Sequence, residues 1–269
     1  MKTNRKFVIR FISLLLLLII SLAGCANGKQ EQETTMEQTE SATESDSIAL
    51  PTQTTPKKKV ALTYDDGPHN VYTKNIVDEL SKYGAHATFF VVGNRVDGTD
   101  YNGKAGLQYA IDAGNEIGIH GYTHKKYYDN CSDADYEAEL SKTLNAIWDI
   151  SPDTPVSLMR PVGGRISNVR AEACEYAIIM WDVDSLDWKY KYSSSEDASK
   201  KEENLSVIVD NIMSAVSDGS IILMHDIYAS TYDATVIILE RLYAEGYEVV
   251  TVSQLLGDEL TSGVTYYSK

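Results

Sequence analysis

The stretch Leu62-Thr63-Tyr64-Asp65-Asp66-Gly67-Pro68 is the point from which the fold of this chain can be worked out. Residues 60–63 are mainly apolar, which predicts a short buried strand. This strand stops at two adjacent carboxylates, and a Gly-Pro pair then turns the chain. Aspartate is disfavoured in strands, and burying two like charges is costly. Asp65 and Asp66 therefore either bind a cation or act as turn and helix-capping residues, and this stretch alone leaves both interpretations open.

Length, charge and cysteine content limit the class of protein. The chain has 269 residues, 43% of them hydrophobic, which allows one large domain or two small ones with a sizeable core. The formal net charge of -15 argues against a nucleic-acid partner, because no basic stripe is present to meet phosphates. Three cysteines are too few for a disulfide framework. Cys131 and Cys174 could pair or could both be free.

The first 57 residues have the pattern of an exported and anchored protein. Residues 1–25 combine a basic start with an apolar segment too short to span a membrane, which predicts an export signal. Leu22-Ala23-Gly24-Cys25 resembles the lipobox of bacterial lipoproteins, which implies a lipid on Cys25; the alternative is an ordinary signal peptide with a chance cysteine. Residues 26–57 are acidic and rich in Thr, Ser and Gln, so we predict a disordered linker.

From residue 58 onward, strand-like and helix-like segments alternate. Seven segments favour strands, at residues 60–63, 87–92, 116–120, 156–159, 177–183, 220–224 and 247–252. Helical spacing separates them, at residues 73–83, 105–113, 135–149, 169–176, 203–216 and 234–244. This alternation predicts an α/β fold with a mainly parallel sheet and outer helices, either doubly wound or closed as a barrel. The chain has no G-x-G-x-x-G or P-loop pattern, which argues against a nucleotide cofactor.

Polar residues gather directly after the predicted strands. They are Asp65, Asp66, His120, Arg160, Asp182, Asp184, Asp187, His225 and Asp226. Because the C-terminal ends of parallel strands share one rim, we expect a single site there. His120 and His124 have H-x3-H spacing, which on a helical turn would direct both imidazoles at one ion. With one strand-end carboxylate they provide three protein ligands and an open position, as in a catalytic zinc site.

Five motifs in this order resemble those of the polysaccharide deacetylases, the NodB-homology family (carbohydrate esterase family 4). The motifs are Thr63-Tyr64-Asp65-Asp66-Gly67, the pair His120 and His124, Arg160-Pro161, Asp184-Ser185-Leu186-Asp187-Trp188, and Leu223-Met224-His225. The resemblance covers residues 58–257 and leaves 258–269 as a C-terminal tail. It implies a distorted (β/α) barrel of about seven parallel strands that removes acetyl groups from sugars with the help of a metal.

The resemblance also implies a role for individual residues. Asp66, His120 and His124 would hold a divalent metal, with Zn2+ as the first choice and Co2+ or Ni2+ as alternatives. Asp65 would be the general base, His225 the general acid and Asp187 its hydrogen-bond partner. Arg160, whose guanidinium can hold a carboxylate bidentately, would orient Asp65. Substrate contacts would come from Pro161, Gly163, Trp188 and Leu223.

Two positions depart from the family motifs. Gly121 occupies the place of the Ser or Thr that follows the first motif histidine, so the side chain expected to brace the metal loop is missing. Gly163 occupies the place of a Tyr or Phe, so the aromatic wall of the sugar groove is lost there. The backbone N–H that could donate to an oxyanion is kept.

Three functions fit these residues. The first is deacetylation of N-acetylglucosamine in a cell-wall polysaccharide, above all peptidoglycan. The second is an esterase for acetylxylan or another O-acetylated polysaccharide, and the third is a glycan-binding lipoprotein without catalysis. The full set of acidic and imidazole motif residues favours an enzyme. We therefore expect an extracellular deacetylase that is anchored to a bacterial membrane through Cys25 and acts on a polysaccharide.

Overall fold

The computed structural model describes residues 57–98, 103–193 and 195–269. The predicted export signal, Cys25 and all but the last residue of the predicted linker lie outside these ranges. Among the described residues, no helix is both long and apolar enough to cross a membrane.

Nine strands form one sheet in the described part of the chain. They are β1 (Lys58–Asp65), β2 (Thr88–Val91), β3 (Glu116–Ile119), β4 (Leu158–Met159), β5 (Ala177–Ile179), β6 (Val183–Asp184), β7 (Ile221–His225), β8 (Tyr247–Val250) and β9 (Thr265–Tyr266). Their order is β6-β7-β1-β2-β3-β4-β5-β9, and β8 pairs with the first half of β1. All pairings between these strands are parallel.

Helices connect the strands. They are α1 (Tyr72–Lys82), α2 (Gly93–Asp97), α3 (Lys104–Asp112), α4 (Asp133–Trp148), α5 (Asn168–Glu172), α6 (Ala198–Met213), α7 (Ala229–Ala244) and α8 (Val252–Leu256), with 3-10 turns at Val162–Gly164 and Gly257–Glu259. The parallel sheet and surrounding helices form a distorted (β/α) barrel, so the predicted fold class is confirmed. Some helix ends differ from prediction. α6 begins at Ala198 and not at residue 203, because the Asp197 side chain caps it by accepting a hydrogen bond from Ser199 N–H at 2.8 Å.

Side chains of β1 separate an outer core from an inner one. Val60, Leu62 and Tyr64 belong to the larger cluster that also contains helix residues, whereas Ala61 belongs to a smaller cluster on the other face. Because strand side chains alternate, Asp65 lies on the same inner face as Ala61. Burial on both faces explains why residues 60–63 show no polar alternation. The same alternation turns Asp65 toward the inside of the barrel.

The predicted strand at residues 177–183 is divided into two. Pairing ends at Ile179 in β5 and resumes at Val183 in β6. In between, the Arg160 guanidinium donates to the carbonyl oxygens of Ile179 and Met180, both at 2.9 Å. These bonds to a distant side chain hold the chain away from regular strand pairing.

This division moves Asp182 away from the rim, so its predicted place there was wrong. Asp182 precedes β6, and its carboxylate accepts hydrogen bonds from the Ser220 hydroxyl at 2.8 Å and from Ile221 N–H at 2.7 Å. These partners stand at the start of β7, the end opposite the predicted site. Asp182 therefore ties two strands together.

Residues 258–269, predicted as a tail, contain most of a 3-10 turn and β9. β9 pairs with β5, and Met180 N–H donates to Tyr266 O at 2.8 Å. Further along, Lys269 N–H donates to Gly219 O at 2.9 Å, directly before β7. The segment thus runs from β5 to the start of β7. Cys131 and Cys174, which the sequence left open, are both free thiols.

Candidate active site

The C-terminal ends of β1, β3 and β7 bring the predicted residues together. Asp65 is the last residue of β1 and stands opposite His225, the last residue of β7, in the parallel register. His120 follows β3 directly, and its backbone N–H donates to Val91 O at 2.9 Å. The shared rim expected from parallel strands is therefore present, and it carries both carboxylates and imidazoles.

Asp66, His120 and His124 form a candidate metal site. One donor atom from each lies within 4.8 Å of the others. The Nε2 atoms of His124 and His120 lie 2.9 and 3.4 Å from Asp66 Oδ1, a buried oxygen that makes no directed hydrogen bond with any described group. His120 Nδ1 lies 2.8 Å from the carbonyl oxygen of Arg160, which leaves Nε2 for the cluster. Two imidazoles and one carboxylate suit a divalent cation of the zinc type.

Asp66 and His120 shift each other's pKa in opposite directions. Burial would raise the pKa of Asp66, but the close imidazoles of His120 and His124 outweigh it and hold the pKa well below its usual value. Burial would lower the pKa of His120, but the negative charges of Asp65 and Asp66 raise it overall. Asp66 is therefore held as a carboxylate, the form that binds cations.

A loop, and not a helical turn, brings His124 to His120, so the predicted helical pairing was wrong. Residues 121–124 have no helical hydrogen bonding. Gly121 has φ 93°, His124 has φ 58°, and Asp66 also lies in the left-handed region with φ 70°. Such backbone is costly for residues other than glycine and concentrates at functional sites. The strain here falls on two of the three candidate ligands.

Glu139 of α4, which no motif contains, fixes this loop. Its Oε2 accepts hydrogen bonds from Tyr122 N–H at 2.7 Å and Thr123 N–H at 2.8 Å, and its Oε1 accepts from the Thr123 hydroxyl at 2.6 Å. A Cβ on Gly121 would lie 2.6 Å from the Tyr128 hydroxyl oxygen, so a serine or threonine does not fit there. Glu139 and Thr123 thus provide the bracing that Gly121 lacks. An acidic residue on the buried face of α4 was the available sequence signal.

We expect Glu139→Ala to weaken metal binding about 10- to 100-fold, because residues that orient ligands typically have effects of this size. The free energy of unfolding should fall by about 1.5–3 kcal/mol or more, since hydrogen bonds to a charged group are lost. Metal titration and urea denaturation measure the two effects. Glu137→Ala, on the exposed side of the same helix, is the matched control. Equal metal affinity in both variants would contradict the bracing role.

Arg160 holds Asp65 through a single contact. Its guanidinium is fully buried, and Nη1 donates to Asp65 Oδ1 and to the Thr63 hydroxyl, both at 2.8 Å. The remaining donors go to backbone carbonyls, so the bidentate grip expected from the residue type is absent. Asp65 Oδ2 is left on the side of the cluster, 3.7 Å from His120 Nε2. Arg160 therefore fixes one oxygen of Asp65 and leaves the other for chemistry.

Asp187 holds His225. His225 Nδ1 lies 2.7 Å from Asp187 Oδ1, while Oδ2 accepts hydrogen bonds from His225 N–H at 2.8 Å and the Thr231 hydroxyl at 2.6 Å. Burial would lower the pKa of His225, but the charge and hydrogen bond of Asp187 outweigh it and raise the pKa to about 9. This pair fixes the ring and leaves Nε2 as the proton-carrying atom.

Asp226 is buried beside the site. The Thr73 hydroxyl donates to its Oδ2, and its Oδ1 has no hydrogen-bond partner among the described residues. Burial, with the charge of Asp66, raises the pKa of Asp226 to about 7. A Cβ on Gly67 would overlap this carboxyl group. Asp226 therefore packs against the turn that follows Asp66 and links it to α1.

The four predicted substrate-contact residues differ in accessibility. Gly163 is exposed in the 3-10 turn after β4, and Trp188 is 44% exposed. Pro161 is buried, and Leu223 is only 4% exposed within β7. Gly163 and Trp188 are thus the two that solvent reaches.

The chain is similar in sequence and in fold to several known proteins. The family model for polysaccharide deacetylases matches residues 52–179. A peptidoglycan-N-acetylglucosamine deacetylase of Bacillus cereus is 33% identical over 177 residues, covering 63% of this chain and 73% of that protein. The solved structure of the peptidoglycan deacetylase PdaC from Bacillus subtilis superposes with a TM-score of 0.65 at 37% identity, covering 74% of this chain and 90% of that one.

Longer relatives match over part of their length. The peptidoglycan-N-acetylglucosamine deacetylase PgdA of Listeria monocytogenes is 28% identical over 212 residues, which is 79% of this chain. The chain spans only 42% of that protein's length.

Proposed function

Because this chain belongs to the polysaccharide deacetylase family, we propose that it removes N-acetyl groups from N-acetylglucosamine in a cell-wall polysaccharide, with peptidoglycan as the first candidate. The observation that carries the proposal is the close placement of three metal-type donors beside two polar pairs. The donors of Asp66, His120 and His124 lie within 4.8 Å of one another. The polar pairs are Asp65 with Arg160 and His225 with Asp187. The names of the relatives from Listeria and Bacillus support peptidoglycan as substrate.

Asp66, His120 and His124 would hold a divalent metal, with Zn2+ as the first choice and Co2+ or Ni2+ as alternatives. When bound, a divalent cation supplies Lewis acidity toward the acetyl carbonyl and toward water. Two features of these residues support metal binding. The His120 ring is oriented by the contact of its Nδ1 with the Arg160 carbonyl oxygen, and the lowered pKa of Asp66 keeps its carboxylate ionised.

Asp65 and His225 would move the protons. Asp65 Oδ2 would accept a proton from the attacking water, since Arg160 occupies only Oδ1. His225 Nε2 would donate a proton to the leaving nitrogen, because Asp187 occupies Nδ1. An amine leaves poorly unless it is protonated, so the acid is required for amides more than for esters. Trp188 and the exposed turn at Gly163 are the proposed substrate contacts.

Acetate release tests this function. The full-length protein should release acetate from peptidoglycan and N-acetylglucosamine oligomers, and a chelator should abolish the release. His124→Ala should lose stoichiometric metal and most activity, because it removes one of three ligands. His86→Ala, which precedes β2 at the other end of the strands, should keep both. Retention of metal by a His120→Ala, His124→Ala double variant would refute the site, and release from acetylxylan alone would favour the esterase function instead.

We also propose an extracellular location with a lipid on Cys25, for which the motif ending at that residue is the support. A lipid anchor followed by a polar linker would place the domain beside the cell-wall polymer. In the native bacterium, labelling with a clickable fatty acid should mark the unchanged protein and not Cys25→Ser. Equal labelling of both would refute the anchor.

A further inference from the structure

Two lysines lie on the same side of the candidate active site as His225. Lys189 and Lys191 belong to the loop between β6 and α6. Lys189 Nζ lies 4.8 Å from the centre of the Trp188 ring, and Lys191 Nζ lies 5.0 Å from the centre of the Tyr228 ring. The Tyr228 ring in turn lies 6.2 Å from the His225 ring. Both ammonium groups are therefore placed near the imidazole that is the proposed proton donor.

The loop that carries this lysine pair is fixed at two points. The Tyr192 hydroxyl donates to the carboxylate of Asp233 in α7. At the other side of the pair, Lys189 N–H donates to Leu186 O at 2.9 Å. Because the backbone is held on both sides of the lysines, less conformational freedom is lost when they bind a ligand.

Acidic side chains do not neutralise the lysine pair. Among the described residues, neither Lys189 nor Lys191 forms an ion pair, and both are exposed. The acidic residues of the same loop face other partners. Asp187 is fully buried against His225, and Asp184 Oδ1 accepts a hydrogen bond from a backbone N–H at 2.9 Å. The charge of Lys189 does reach Asp184, but burial outweighs it and raises the pKa of that carboxyl.

The exposed charge beside the proposed proton donor is thus positive, although the chain as a whole has a net charge of -15. Such a local field attracts anions and repels cations. Each ammonium group has three donors and uses only part of its surface on the ring below it, so donors remain for an anionic ligand.

We propose that the lysine pair binds a carboxylate carried by the polysaccharide substrate. This inference rests on the proposed function and narrows its substrate class to an anionic glycan. Peptidoglycan carries carboxylates on its lactyl and peptide groups, whereas N-acetylglucosamine oligomers and acetylated xylose chains are neutral. The lysine pair therefore favours peptidoglycan over the other candidate polymers.

Capping the carboxyl groups of one glycan preparation tests the proposal. Soluble peptidoglycan strands are coupled to methylamine with a carbodiimide, which turns carboxylates into neutral amides and leaves acetyl groups and phosphates in place. With the unchanged full-length protein, capping should raise KM for acetate release about two- to tenfold and leave kcat nearly unchanged, since exposed ion pairs have effects of this size. The difference should shrink at about 1 M salt, where the screening length falls to about 3 Å.

Substitution of both lysines is the second arm of the experiment. In a Lys189→Gln, Lys191→Gln variant, KM for uncapped strands should rise to the value for capped strands, and capping should have no further effect. Acetate release from N-acetylglucosamine tetramer, which is neutral, should be unchanged. A Lys189→Arg, Lys191→Arg variant should restore the low KM because it keeps both charges.

Lys58→Gln is the matched control. Lys58 Nζ also lies over a tyrosine ring, 3.8 Å from the centre of Tyr247, but it stands at the start of β1, the end opposite Asp65. This variant should keep the preference for uncapped strands. Equal KM for capped and uncapped strands, a preference that the Gln double variant retains, or the same loss in Lys58→Gln would overturn the role of the lysine pair. Acetate release alongside any of these results would leave the proposed function standing.

Binding in an Asp65→Asn background separates recognition from catalysis. Calorimetry should show tighter binding of uncapped than of capped strands, and the difference should vanish when both lysines are replaced by Gln. That result, without acetate release from any acetylated glycan by the parent protein, would support the lysine pair and remove the proposed function. Absence of both binding and release would overturn both proposals.

Discussion

Replacing Asp65 with Asn should lower acetate release by about 10²- to 10⁴-fold while the protein keeps its metal, because an amide cannot take the proton that a general base removes. The oxygen at the Oδ1 position can still accept the hydrogen bond from Arg160 Nη1, now at 2.8 Å. The change in chemistry is confined to the Oδ2 position, 3.7 Å from His120 Nε2. Metal content by mass spectrometry and acetate release are measured on the same preparation.

The neighbouring carboxylate is the control. Asp66→Asn makes the same substitution one residue along, at the proposed ligand, so we expect it to lose metal as well as activity. If Asp65→Asn lost the metal and Asp66→Asn kept it, the two roles would have to be exchanged. The Asp65 variant also leaves the buried charge of Arg160 without its partner, which destabilises a fold. Denaturation curves therefore accompany the assay, and activity is compared per folded molecule.

The residues at the C-terminal edge of the sheet could be predicted from the sequence, because a residue's place at the end of a strand depends only on the strand that precedes it. A buried run that ends in a carboxylate or imidazole places that group at the C-terminal edge, wherever the strand lies in the sheet. Asp65, His120 and His225 all follow this rule, and the register of β1 with β7 places Asp65 opposite His225. One principle of parallel α/β folds was therefore enough to bring these residues to one edge.

Prediction from the sequence was wrong where side chains distant in the chain determine the local backbone structure. The break between β5 and β6 depends on Arg160, about 20 residues upstream in the chain. The loop that brings His124 to His120 depends on Glu139 and on the left-handed backbone of Gly121. Propensity and spacing do not encode such contacts, so H-x3-H was interpreted as a helical pair.

Activity on N-acetyl substrates should fall on the alkaline side as His225 loses its proton. The folded-state pKa of His225 is raised to about 9, so the protonated acid is present below that pH and is lost above it. Part of this rise comes from Asp66 and Asp65, whose charges a bound cation would offset. We therefore expect the alkaline limb between about 6.5, the unperturbed value, and about 9. Asp187→Asn removes the largest favourable charge and should move the limb to lower pH.

His225→Ala should damage amide hydrolysis far more than hydrolysis of an aryl acetate. An amine must be protonated to leave, whereas a phenolate leaves unaided, so only the amide reaction needs the acid. A loss of about 10²- to 10⁴-fold is expected on N-acetylglucosamine oligomers, the usual contribution of acid catalysis. Metal content should stay unchanged, which separates this variant from His124→Ala, and His86→Ala serves as the neutral control. Equal losses on amide and aryl ester, or an alkaline limb that Asp187→Asn leaves in place, would show that His225 supports the metal site or the fold instead of donating the proton.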